Sequence, residues 1–207
     1  MSFPSSEYET RVAIWDTSLE HGVGHVSMVL RKGGQPVKYL SLRPSNPYLV
    51  NPLTIPLPTR GVNCSSVDED NRLEGKVSDR NITFPLSEDQ FNRMAAQVDV
   101  IQKEIANSTR LYQIHPRLSL LHLGKQLSKP RAFQSLAECP FSGESIAPDS
   151  HTINGMEEMK ASHCALTVAD ALDAGGITAE RHLWPWIISP SDLGDQLENL
   201  GDQLEKF

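Results

Sequence analysis

The chain has 207 residues, 39% of them hydrophobic and 22% charged, which makes one soluble globular domain spanning 1–207 the default expectation. Nineteen Lys and Arg stand against 26 Asp and Glu, a net charge of -7, and there is no basic run. That balance argues against nucleic-acid binding, which rests on neutralising phosphates.

The N-terminal stretch MSFPSSEYETRVAIWD has no positive region followed by an apolar one, so no classical secretory signal is expected. Synthesis in the cytoplasm follows, and delivery by a specialised secretion system would leave no such trace. No stretch approaches the roughly 18 apolar residues of a transmembrane helix. Residues 11–16, rich in β-branched and aromatic side chains, predict a strand. Residues 25–31 predict a second, with His25, Ser27 and Val29 on one face and Val26, Met28 and Leu30 on the other. Gly33-Gly34 marks a hairpin turn, and 37–43 return as a third strand. Five prolines between 44 and 58, then Asp, Asn, Ser and Gly through 81, read as irregular surface chain. Residues 81–86 suggest another strand.

Ser87 with Gln90 forms a capping box, and Phe91, Met94, Val98, Ile101 and Ile105 follow at helical spacing. A helix over 87–107 is predicted. Short helical fragments at 117–127 and 130–138 are interrupted by prolines, and 140–155 read as loop. A second helix over 156–174 ends at Gly175-Gly176. Ile187-Ile188 suggests a strand. Ser189 and Pro190 open a C-terminal amphipathic helix, 190–207, containing the repeat LGDQLEN-LGDQLEK. Its leucines at 193, 197, 200 and 204 form a heptad seam. Two heptads are too few for a coiled coil alone, so docking on its own domain is favoured over a partner.

The cysteines, Cys64, Cys139 and Cys164, are odd in number and include no Cys-x-x-Cys pair, which points away from a disulfide framework or zinc ribbon. Cys164 lies in the first half of a predicted helix, where the helix dipole and a neighbouring imidazolium lower a thiol pKa. On composition alone it reads as a small core residue. His25, starting a strand after a Gly-containing turn, is placed to serve as its base. Cys64 and Cys139 fall in predicted loops and read as bystanders. A metal site using His21, His25, His163 and Cys164 competes, but His21-x-x-x-His25 crosses glycines into a strand and loses helical ligand geometry. No metal or organic cofactor is expected.

The segment GHVSMVLRKGGQPVKYLSLRP resembles the strand-turn-strand opening of permuted papain-like cysteine hydrolases. That group belongs with NlpC-type cell-wall peptidases and is related to lecithin-retinol acyltransferase-like enzymes. A capped helix with a tyrosine after it (Ser87–Asn107 and Tyr112), then SHCALTVADALDAGGI and IISPSDLGDQL, follow in the family's order. The resemblance covers about 100 residues. It implies an α+β fold with a papain-like permuted core, an antiparallel sheet packed against helices and the nucleophile on a helix. It implies a Cys164–His25 amidase or peptidase acting on a peptide, peptidoglycan or acyl substrate, in a bacterial effector or cell-wall setting. Ser41 and Asp16 are the alternatives for the third residue that orients His25; Asp16 is the better electrostatic partner. His163, Trp184 and Trp186 are candidate substrate neighbours, although the tryptophans read as readily as core. Two features depart from the family: His163 stands where Asn usually precedes the cysteine, and 52 positions separate Tyr112 from Cys164. The excess, 113–160, is expected to be a helical or loop insertion. An acyltransferase of the same fold, or an inactive protein-binding module using the insertion and the leucine seam on a protein target, are the other classes.

Overall fold

A computed structural model describes residues 6–17, 24–46, 58–114, 159–181 and 188–204. The class is α+β, with two four-stranded sheets and four helices among the described residues. In the first sheet β1 (Tyr8–Trp15) pairs antiparallel with β2 (His25–Lys32), and β2 with β3 (Gln35–Leu40). Gly33 and Gly34, at φ 56° and 76°, make the tight turn between β2 and β3. Both angles are left-handed, the conformation that a two-residue hairpin requires and glycine adopts freely. After β4 (Leu42–Pro44) and β5 (Thr59–Asn63), the strand β6 (Arg80–Leu86) joins the far edge, giving the order β3-β2-β1-β6.

Alternation gives this sheet two chemically distinct faces. Val12, Ile14, Val26, Met28, Leu30, Leu40 and Phe84 belong to the apolar core. His25, Ser27 and Tyr39 lie on the other side, in register with Trp15, Ala13 and Val29. The core face is covered by α2 (Glu88–Ala106), whose predicted apolar stripe is buried at all five positions. Each such side chain contributes roughly 1.5–3 kcal/mol. The capping box is present in both directions: Gln90 N–H donates to Ser87 Oγ at 3.2 Å, and Ser87 N–H to Gln90 Oε1 at 3.0 Å.

Two sequence expectations change. The stretch 44–81 is not irregular throughout, because it contains β5 and the helix α1 (Val67–Glu74). The second predicted helix does not begin at 156. Lys160–Ser162 form a strand, β8, and the helix α3 runs from Cys164 to Ala174. β8 pairs in parallel with β7 (Arg110–Tyr112), completing a second sheet of order β4-β5-β7-β8. The chain between Gln113 and Met159 therefore leaves and re-enters from neighbouring strands. The predicted fragments at 117–127 and 130–138, and the loop at 140–155, lie outside the described residues, as does Ile187; Ile188 is buried but not in a strand.

The last helix, α4 (Pro190–Leu204), starts as predicted. Ser189 Oγ accepts from Asp192 N–H at 3.1 Å, and Asp192 Oδ2 accepts from Ser189 N–H at 3.1 Å. Leu193 and Leu197 are fully buried and Leu200 packs against the same core, so the leucine seam docks on its own domain, over β1, β6 and α3. The repeat supplies its own control. A Cβ at Gly194 would stand 2.5 Å from the Arg80 guanidinium, which is held by Asp16, by Asp195 at 2.7 Å and by the Ser191 carbonyl at 3.2 Å. A Cβ at Gly201 meets nothing within 4 Å. Gly201→Ala is expected to raise stability by about 0.5–1 kcal/mol through helix propensity. Gly194→Ala, at the equivalent place one heptad earlier, is expected to lower it. Urea unfolding of the two variants checks this, and equal effects would contradict it.

Candidate active site

The site forms where the start of α3 meets the start of β2. His25 is the first residue of β2 and is 3% exposed. Gly24 before it has φ 72°, and a Cβ there would lie 2.5 Å from the Trp15 carbonyl oxygen, so only glycine allows the chain to enter β2 at this angle. The Trp15 ring, opposite His25 in the register, packs on the imidazole with centroids 5.4 Å apart.

His25 Nε2 faces two oxygens, Ser41 Oγ at 2.9 Å and Asp70 Oδ2 at 3.4 Å. Ser41 is fully buried, just beyond β3, and its backbone is fixed by Asn63 Oδ1 at 2.9 Å and by Cys64 N–H at 3.1 Å. Asp70 is the one buried residue of α1. Its Oδ1 accepts from Arg43 Nε and its Oδ2 from the Tyr39 hydroxyl, both at 2.5 Å. Tyr39 has a single hydroxyl proton, so with it committed to the carboxylate the Ser27 hydroxyl, 2.7 Å away, is the donor to Tyr39. Burial opposes the Asp70 charge, yet His25, Arg43 and Tyr39 hold its carboxyl well below the usual carboxylate range.

The second predicted acid partner is elsewhere. Asp16 follows Trp15, but its carboxylate pairs with Arg80 and its N–H donates to Asp79 at 2.8 Å. The carboxylate that reaches His25 is Asp70, in a stretch that the sequence presents as irregular. One local signal marked its helix: Ser66 with Glu69 three residues on. Ser66 Oγ accepts from Glu69 N–H at 3.2 Å, a helix N-cap.

Cys164 is the first residue of α3 and is 3% exposed. Burial pushes its thiol up, but the adjacent His163 ring, and then the hydrogen bond to and the charge of His25, pull it down to about 5. His25 moves the opposite way. Burial favours its neutral form; the Asp70 carboxylate and then the Cys164 thiolate outweigh burial and raise its pKa. The two shifts describe a thiolate–imidazolium pair. Cys64, 4% exposed and just ahead of α1, behaves differently: burial and then Asp70 push its thiol up to about 12.

The corner from β8 into α3 rests on a buried polar network. Ser162 Oγ and Thr167 Oγ1 are 2.8 Å apart. Arg110, 3% exposed on β7, reaches Glu104 Oε2 and Asp170 Oδ2, each at 2.9 Å. Tyr112 is buried opposite Ser162, and burial followed by the Cys164 charge raises its pKa.

The structure thus brings Cys164, His25, Ser41 and His163 together, adds Asp70, and leaves Asp16 apart. His21, Cys139, Trp184 and Trp186 lie outside the described residues. Among the described residues no group of three or more His, Cys, Asp or Glu side chains is arranged to hold a metal ion, and no helix is long and apolar enough to cross a membrane. No family model, curated protein or solved structure matches the chain.

Proposed function

We propose that the chain is a cysteine hydrolase of the amidase or peptidase type, built on a papain-like permuted core. One observation carries the reading: a buried thiol at the start of a helix stands by an imidazole whose Nε2 faces Ser41 and Asp70. Nucleophile, base and orienting groups are the set that acyl transfer through a cysteine needs.

The Cys164 thiolate attacks the carbonyl carbon of an amide. The C–S bond forms as the carbonyl π pair moves onto oxygen. With Nε2 turned to Ser41 and Asp70, Nδ1 is the nitrogen that exchanges protons at the reaction centre. As the intermediate collapses, the C–N bond breaks and the imidazolium protonates the leaving amine. Water then attacks the thioester and gives its proton to His25. The C–S bond breaks, releasing the acid and restoring the thiolate. An amine or alcohol in place of water would make the reaction a transfer. Peptide, peptidoglycan or acyl substrates fit this chemistry. In this reading a bacterial effector delivered by a specialised secretion system would meet them in a target cell.

The test is iodoacetamide labelling against pH, resolved for each cysteine by mass spectrometry. Only thiolate reacts, so the Cys164 rate is expected to rise to half its maximum near pH 5 and to be flat by pH 7. Cys64, its thiol pushed up to about 12, stays unlabelled through pH 9. His25→Ala removes the imidazolium and is expected to move the Cys164 midpoint up by more than about one unit. A wild-type midpoint at or above 8 would remove the chemical basis of the proposal and leave a protein-binding module as the better reading.

A further inference from the structure

We propose that His163 supplies the second hydrogen-bond donor of the oxyanion site, its Nε2–H acting beside the backbone N–H of Cys164. The inference rests on the cysteine-hydrolase reading and assigns a role that this reading leaves open.

His163 is the N-cap of α3, and its Nδ1 accepts from Leu166 N–H at 3.4 Å. A ring nitrogen that accepts carries no proton, so in the capping ring the proton sits on Nε2. That nitrogen is buried, the residue is only 6% exposed, and Nε2 has no hydrogen-bond partner among the described residues. Buried donors without acceptors are rare, and a ligand oxygen is one way to satisfy them. His163 directly precedes Cys164 and caps the same helix start, which keeps its ring, with the open donor, beside the nucleophile. Capping does not account for the residue, because Ser, Thr, Asp and Asn are the preferred N-caps. Helix geometry leaves the N–H groups of Cys164 and Ala165 without intrahelical acceptors as well. Three donors therefore collect at the start of one helix, next to the nucleophile.

During acylation, negative charge develops on the carbonyl oxygen as the C–S bond forms. It is met by Nε2–H of His163 and N–H of Cys164. When the pair returns to reform the carbonyl, the C–N bond breaks and His25 protonates the amine. His163 keeps its own proton throughout.

The experiment compares two small reagents on Cys164 of the full chain at pH 7. Iodoacetamide alkylates sulfur at a saturated carbon and forms no oxyanion. p-Nitrophenyl acetate acylates it through a tetrahedral oxyanion and releases p-nitrophenolate. The acylation-to-alkylation ratio is measured on one protein, so it is independent of thiolate fraction and of the folded fraction. His163→Asn keeps a capping oxygen and deletes the Nε2 donor. The ratio is expected to fall at least tenfold, on the order of 10²-fold. His163→Gln, whose amide nitrogen extends toward the Nε2 position, is expected to recover part of the loss. A His163→Asn ratio within tenfold of wild type overturns the proposal. A wild-type Cys164 that reacts with both reagents no faster than free cysteine instead brings down the hydrolase reading, and this assignment with it.

Discussion

Asp70→Asn is expected to lower any hydrolysis that depends on Cys164 by about 10²- to 10⁴-fold, and to lower the pH 7 alkylation of Cys164 by the smaller factor set by its loss of thiolate. After burial, the Asp70 hydrogen bond is the largest influence on His25 and the one that most raises its pKa. Without that charge, burial favours neutral imidazole and the thiolate loses its counter-ion. The midpoint of Cys164 labelling then moves upward. Ser41→Ala removes a neutral contact at 2.9 Å and should move it much less. The reverse ranking would make Ser41 the orienting residue.

The same carboxylate governs stability in acid. Its folded pKa is depressed, so its contribution is complete above the unfolded value of about 3.9 and is lost as pH falls toward the folded one. His25, raised on folding, contributes fully below about 6.5 and loses that contribution as pH rises through its folded pKa. In Asp70→Asn the acid-side loss should flatten. Urea unfolding at a series of pH values measures this.

Arg110→Met is expected to destabilise the fold by roughly 2–4 kcal/mol, a fall of about 5–15 °C in melting temperature. The methionine fills much of the volume but leaves Glu104, Asp170, Ser162 and Thr167 without the guanidinium that joins them. Glu104 retains Lys160 and Asp170 retains Arg181, which places the cost below that of stranding a lone buried charge. A loss under about 0.5 kcal/mol, the scale of an ordinary surface change, would mean that the network is incidental to the corner carrying Cys164.

Much of this architecture was legible because it follows simple periods. Two-residue alternation put His25 and Ser27 on one face, and the Gly33-Gly34 hairpin brought Tyr39 in register with Val29 on that same side. The 3.6-residue stripe and Ser87–Gln90 marked α2. Helix α1 was hidden for a physical reason. Its only buried residue is Asp70, so it has no apolar stripe, and its capping pair was the remaining signal. β8 has three residues, too few to display a period, and the helical reading ran through it. Asp16 misled through adjacency. It follows the residue opposite His25, but Arg80 takes its carboxylate. The leucine seam was readable as amphipathic; what it docks on depended on contacts with β1, β6 and α3, remote in sequence.

The parallel pairing of β7 and β8 has a consequence in chain entropy. Arg110 lies opposite Lys160 and Tyr112 opposite Ser162, so both ends of the 113–159 segment are pinned by the same ladder. The cost of closing a flexible loop grows only with the logarithm of its length, about 0.6 kcal/mol for each doubling. On closure entropy alone, the number of residues between two such anchors weighs little. The nucleophile follows β8 by two positions, so its location is set by the pairing and not by how much chain was traversed to reach it. Slippage by a single residue in β8 would be another matter, since it turns every side chain of the strand to the opposite face. What fixes the nucleophile is the register of three paired residues.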